Sequence, residues 1–149
     1  MPVKPIPDGA HTVTPYLLVE SVSQLIDFVK KAFGAQELMC LPRADGSIMH
    51  AQVKIGDSLL MLSEPRGLFT LMPTMMYLYV LDADTTYRQA LAAGATTMME
   101  MADQFWGDRM GTVRDPLGNI WSIATHKEDV SPDEIARRAL ALVPSKGKE

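Results

Sequence analysis

Residues 21–34 read SVSQLIDFVKKAFG and residues 83–94 read ADTTYRQALAAG, and the relation between these two stretches decides the fold. In the first, Val22, Leu25, Ile26, Val29 and Phe33 recur at helical spacing and mark one apolar stripe. Ser21 offers a hydroxyl to the unpaired N–H groups at the helix start, and Gln24, three residues on, completes a capping-box pattern. In the second, Tyr87, Ala90 and Leu91 form the stripe, with Asp82 and Asp84 placed to cap the N-terminus. Each stretch closes on a glycine, Gly34 or Gly94, which accepts the left-handed conformation past a helix end.

The flanking sequence repeats as well. A β-prone run, Val13 to Val19, precedes the first helix, and Gln36–Leu41, Ile48–Ile55 and Ser58–Ser63 follow it as strand candidates. Turn sequences at residues 44–47 and at Gly56-Asp57 join these strands. Met75 to Leu81 precedes the second helix, and Thr96–Met101, Gly111–Arg114 and Ile120–Thr125 follow it. The last two are linked by the strong turn Asp115-Pro116-Leu117-Gly118-Asn119. Gly34 and Gly94 lie 60 residues apart, and Gly56 and Gly118 lie 62 apart. Such a near-constant offset between like punctuation marks points to a duplication, each half reading β-α-β-β-β. The expected class is α+β, with two tandem βαβββ modules and a C-terminal helix. The organisation predicted is an N-terminal extension at 1–10, a first module at 11–64, a linker at 65–73, a second module at 74–128, and a helix and tail at 129–149. That last helix starts at Ser131-Pro132-Asp133-Glu134, with Ile135, Ala136, Ala139 and Leu140 as its docking side, and residues 145–149 are expected to form a mobile tail.

Composition bounds the function. The 149 residues are 47% hydrophobic and 21% charged, which is ordinary for a folded globular chain. A net charge of −4 argues against a nucleic-acid partner. The most apolar stretch, residues 71–81, is broken by Pro73 and Thr74 and is too short to span a bilayer, so no membrane partner is expected. Met1 to Pro7 contains no apolar core of the secretory type, and a single cysteine, Cys40, fits a reducing cytoplasm.

Several separate motifs, in this order and spacing, resemble the vicinal oxygen chelate superfamily, which includes glyoxalase I, extradiol dioxygenases and drug-resistance proteins. The resemblance covers roughly residues 11 to 128. It is carried by His11-Thr-Val-Thr-Pro-Tyr-Leu, Ile26-Asp27-Phe28, Lys31-Ala32-Phe33-Gly34-Ala35 and Ile48-Met49-His50-Ala51, then by Ile55-Gly56-Asp57-Ser58. Phe105-Trp106-Gly107-Asp108-Arg109, Asp115-Pro116-Leu117-Gly118 and Trp121-Ser122-Ile123-Ala124-Thr125-His126 complete it, and together they look most like the PhnB-like branch. The resemblance implies a curved mixed sheet around a ligand trough, with helices outside. In metal-dependent members each module supplies ligands from its first and last strands.

Aligned on Val19 and Ile26, those ligand positions fall at Thr14, Met61, Met75 and Ser122, none of which is His, Asp or Glu. Thioethers and neutral hydroxyls are poor donors for hard or borderline divalent ions, so no metal and no other cofactor is expected. His11, His50 and His126 share no ligand spacing.

Strand alternation then selects the trough lining: Thr14, Tyr16 and Leu18; His50 and Gln52; Met61 and Ser63; Met75, Tyr77 and Tyr79; Ser122 and Ala124. Met49, Ala51, Val53 and Ile55 fall on the opposite face, under the helix. Aromatic rings, soft methionines and a few hydroxyls suit a flat, polar-edged small molecule. His50 is the candidate for acid–base chemistry; its structural alternative is a hydrogen bond to a neighbouring strand or to Tyr16. In the 105–109 motif, Trp106 is placed to stack on a ligand and Arg109 to hold an anionic group. The alternative there is a local Asp108–Arg109 ion pair, with Trp106 at a subunit contact. Trp121 is expected in the core and Cys40 as a small buried apolar residue.

The function expected is a metal-independent small-molecule-binding protein, homodimeric and cytoplasmic, that sequesters an antibiotic or planar metabolite. Its rival is a glyoxalase- or dioxygenase-like enzyme. That enzyme would use His50 as acid–base, with Tyr77 or Tyr79 assisting, or a divalent metal at positions not located.

Overall fold

A computed structural model describes residues 2–142. The expected tail at residues 145–149 lies outside the described residues. The chain is α+β, and its elements run β1 (Tyr16–Leu18), α1 (Val22–Phe33), β2 (Gln36–Pro42), β3 (Ile48–Ile55), β4 (Ser58–Ser63), β5 (Met75–Tyr79), α2 (Ala83–Ala92), β6 (Thr96–Asp103), β7 (Asp108–Arg114), β8 (Ile120–His126) and α3 (Pro132–Ala141). They form two four-stranded sheets, ordered β1-β4-β3-β2 and β5-β8-β7-β6. In each, the first strand pairs in parallel with the last and the remaining neighbours pair antiparallel. The two βαβββ modules are therefore copies of one topology.

Helix α1 forms where the apolar stripe and both caps coincide. The Ser21 side chain accepts from the Gln24 N–H at 3.2 Å, and Gly34, at φ 66°, closes the other end. A second N-terminal donor, Val22 N–H, is taken at 2.8 Å by Glu64 at the end of β4. The other Glu64 oxygen accepts from Ile48 N–H at 2.9 Å, so one carboxylate ties the helix start to two strands. Helix α2 is capped by Asp82, whose side chain accepts from Thr85 N–H; Asp84, expected to share that role, turns instead to Arg109.

One face of each sheet carries the core. Leu17, Ala51, Val53, Leu60 and Leu62 are buried beneath α1, and Val113, Trp121 and Ile123 beneath α2. The helices also pack on each other, and the Phe33 ring lies 4.9 Å from Trp121, joining the modules through a shared interior. Trp121 is fully buried, as expected, and its indole N–H donates to Asp115 Oδ2 at 2.7 Å. Because the helices lie between the sheets, the other face of each sheet turns outward. No hydrogen-bonded strand pair joins the two sheets among the described residues.

Several elements depart from the sequence expectation for local reasons. Strand β1 has three residues, not seven: Pro15 lacks an N–H, and the Thr14 hydroxyl donates to His11 O at 2.8 Å, folding residues 11–14 into a turn. Met49 is exposed instead of packing under α1 with Ala51 and Val53. Strand β7 starts at Asp108, three residues earlier than Gly111. Helix α3 has the expected Ser131 cap but buries none of its residues, so the predicted docking of Ile135, Ala136, Ala139 and Leu140 does not occur. It is held instead through Arg138, which reaches Phe105 O at 3.0 Å and Glu128 at 2.9 Å. Among the described residues, no helix is long and apolar enough to cross a membrane.

Candidate functional site

The outward faces carry the polar and aromatic side chains. On the first module, register aligns Tyr16 with Met61, Met61 with Gln52, and Leu41 with His50, so these side chains share one surface. The His50 ring is held on both sides, with Nδ1 3.1 Å from the Tyr16 hydroxyl and Nε2 3.1 Å from the Gln52 amide nitrogen. An amide N–H donates, so Nε2 accepts and the proton sits on Nδ1, facing Tyr16. Among the described residues, no carboxylate bonds to this imidazole. Ser63, on the same surface, is buried.

The second module concentrates its chemistry on one carboxylate. Asp108, at the start of β7, pairs across the ladder with His126, and Tyr77 pairs with Ser122 on β8. Alternation brings Asp108, His126, Ser122, Tyr77 and Tyr79 to one face. Asp108 is 2% exposed, yet its Oδ2 accepts from Tyr77 OH at 2.7 Å, Tyr79 OH at 2.9 Å and Trp106 Nε1 at 3.1 Å. Its Oδ1 accepts from His126 Nδ1 at 2.8 Å, and His126 Nε2 lies 2.8 Å from Asp129. Carboxylates only accept, so both ring nitrogens carry protons and His126 is an imidazolium between two acids.

The electrostatics agree with this geometry. Burial pushes the Asp108 carboxyl up, but donation from His126, Tyr77, Tyr79 and Trp106 outweighs it and holds the group below its ordinary range. Burial, then donation to Asp108, raises Tyr77 well above an ordinary phenol. Donation to Asp108, then burial, raises Tyr79. Asp108, then Asp129, raises His126 above its ordinary value of 6.5. The hydroxyls therefore stay protonated and act as donors rather than bases.

The two linkages have opposite signs. The stabilisation from His126 is full below the ordinary imidazole value and is lost as pH rises through the raised folded value. That from Asp108 is present above the ordinary carboxylate value and is lost as pH falls through the depressed one. We expect the His126 ring protons, followed by NMR, to titrate above 6.5, and Asp108→Asn to bring that titration down. A wild-type His126 titrating at or below 6.5 would mean that the paired imidazolium does not form.

The remaining expected site residues fall as follows. Met61, Met75, Tyr77, Tyr79, Tyr16, His50 and Gln52 lie on outward faces, with Tyr79 63% and Met75 62% exposed. Ser122 shares that face but is 1% exposed, its hydroxyl 2.8 Å from that of Thr112. Thr14 lies in the turn before β1. Arg109 stands apart: alternation sets it opposite Asp108, and its guanidinium is held by Asp84 at 2.7 and 2.9 Å and by Asp103 at 3.3 Å. The local Asp108–Arg109 ion pair is thus replaced by two separate networks. Asp108, His126 and Asp129 were not selected from the sequence. Carrying the Ser122, Ala124 parity two residues further would have found His126.

The metal positions expected from the resemblance do not fit a divalent ion. Met61 and Met75 offer thioethers, Ser122 is bonded to Thr112, and Thr14 is bonded to His11. Among the described residues, no group of three or more His, Cys, Asp or Glu side chains is arranged to hold a metal.

A family model described as the Glyoxalase/Bleomycin resistance protein/Dioxygenase superfamily matches residues 10–123. The uncharacterized protein Mb0911c of Mycobacterium bovis is 38% identical over 134 residues, covering 83% of this chain and 88% of the relative. The crystal structure of TioX from Micromonospora sp. ML1 superposes with TM-score 0.67 at 25% identity, covering 78% of this chain and 98% of the other. An Arabidopsis thaliana gene product shares the fold at TM-score 0.61 and 23% identity, over 78% of this chain and 98% of its own.

Proposed function

We propose, for a chain that belongs to the Glyoxalase/Bleomycin resistance protein/Dioxygenase superfamily, the role of a metal-independent small-molecule-binding protein of the PhnB-like kind, enclosing an antibiotic or planar metabolite. One observation carries the reading: the outward sheet faces present aromatic rings and thioethers, and the four positions to which the resemblance assigns metal ligands, Thr14, Met61, Met75 and Ser122, hold only hydroxyls and thioethers. Tyr16, His50, Gln52 and Met61 form one wall, and Met75, Tyr77, Tyr79 and Trp106 the other. Such surfaces stack and enclose flat molecules without bond-making. The PhnB-like assignment rests on the motifs at residues 26–35, 48–51 and 105–126.

Homodimerisation completes the proposal. The two walls of one chain point away from each other, so a closed trough needs the first module of one copy to face the second module of another. The apolar side chains around β1 and β5 support that pairing: Val13, Phe69, Met72 and Leu81 are 81%, 68%, 57% and 100% exposed. Sedimentation should give twice the chain mass. A cytoplasmic location accords with the lone Cys40.

A panel of planar antibiotics titrated against the protein tests binding, with tryptophan fluorescence and thermal shift as readouts. Ligand at about 100 times its Kd should add about 2.7 kcal/mol of stability. A broad panel without quenching or thermal shift overturns the proposal. His50→Ala should leave binding within a few-fold, because the imidazole is engaged by Tyr16 and Gln52 as part of the wall.

A further inference from the structure

We infer that the Tyr77–Tyr79–Trp106 surface is a recognition site for an organic ammonium group. The inference rests on the small-molecule-binding reading above and names the ligand chemistry of the second wall. The hydrogen-bond donors of this surface are all committed. The cluster holds five: the Tyr77 and Tyr79 hydroxyls, the Trp106 indole N–H, and the two His126 N–H groups. Each is turned onto a carboxylate, four onto Asp108 and one onto Asp129. No donor of the cluster remains to greet a ligand's carbonyl or carboxylate.

What the cluster still presents is electron-rich. The phenolic oxygens keep acceptor lone pairs, although Tyr77 already receives a share of the Trp106 N–H at 3.1 Å. The tyrosine rings lie 5.3 Å apart, inclined at 51°, with Tyr77 40% and Tyr79 63% exposed. A phenol that donates to a carboxylate shifts electron density into its ring, which strengthens the ring's attraction for a cation. The charge count has the same sign. Asp108 and Asp129 outweigh the one imidazolium between them, leaving the cluster one net negative charge, with the Asp108 carboxylate buried and Asp129 fully exposed. Arg109 does not cancel it, being paired with Asp84 and Asp103 on the other side of β7. Arg114, the cation on the same face of β7, stands at its far end, roughly 20 Å along the strand.

An acceptor-only aromatic surface in a cluster of net negative charge discriminates by charge more than by shape. Choline and its uncharged isostere 3,3-dimethylbutan-1-ol provide the test, at constant ionic strength. The readout is the Trp106 indole N–H resonance, distinguished from that of buried Trp121 by its loss in Trp106→Phe. We expect saturable choline shifts and binding of the isostere at least tenfold weaker. Tyr79→Leu should weaken choline at least threefold relative to Tyr79→Phe, which loses the same hydrogen bond to Asp108 but keeps the ring. Equal binding of the two compounds overturns the inference, as does no saturable choline shift. If neutral planar compounds still stabilise the protein while choline is silent, the ammonium site fails alone. If neither binds, the small-molecule reading fails with it.

Discussion

Trp121→Ala should destabilise the protein by about 3–5 kcal/mol, the range for removing a large aromatic side chain from a closed core. Three losses coincide. The fully buried indole leaves a cavity between β8 and the helices, Phe33 loses the ring 4.9 Å away, and buried Asp115 loses its 2.7 Å donor. Phe33 belongs to the first module and Trp121 to the second, so the cavity opens at the seam between them. Denaturant unfolding followed by circular dichroism checks the value. Trp121→Phe separates the contributions, since it keeps most of the packing and removes only the N–H donor. A Trp121→Ala loss under about 1 kcal/mol would contradict the buried seam.

Gly107→Ala should cost about 2–4 kcal/mol and dismantle the Asp108 cluster as well. Gly107 sits at φ 106°, a conformation that side-chain-bearing residues rarely adopt, and an added Cβ would lie 2.3 Å from the Glu128 carbonyl oxygen. That neighbour is backbone and cannot rotate away. The Gly107 carbonyl accepts from Lys127 N–H at 2.8 Å and from Glu128 N–H at 3.1 Å, so relieving the clash moves the segment that follows His126. The His126 titration should then fall toward its ordinary value, and ligand-induced fluorescence changes should weaken. An alanine variant with wild-type stability and an unshifted His126 would show that residues 107 and 128 are not in this contact.

The duplication and the helix caps were legible in the sequence because they are set by residues near one another. Ser21, Gly34 and Asp82 act within one helical turn, and each behaves as its chemistry dictates. The parity of β3 was also readable, since buried Ala51 and Val53 alternate with His50, Gln52 and Lys54, and in β4 Leu60 and Leu62 flank Met61. What escaped depends on distant partners. Asp108 and Arg109 are neighbours of opposite charge, and a local ion pair is the natural reading. Their real partners are 18 and 31 residues away for Asp108 in His126 and Tyr77, and 25 away for Arg109 in Asp84. Helix α3 misled in the other direction: its apolar stripe suggested docking, but Arg138 anchors it by polar contacts. The turning of the two sheet faces away from each other follows from the α1–α2 packing, which no local pattern encodes.

The opposite destinations of Asp108 and Arg109 also constrain how this segment can change over generations. Strand side chains alternate with a period of two, so deleting or inserting one residue between Gly107 and Gly111 would swap the two. A guanidinium would then enter the outward aromatic face while a carboxylate moved under α2, reversing the polarity of both environments in one event. A substitution at Asp108 or Arg109 alters one environment, whereas a change in length alters both.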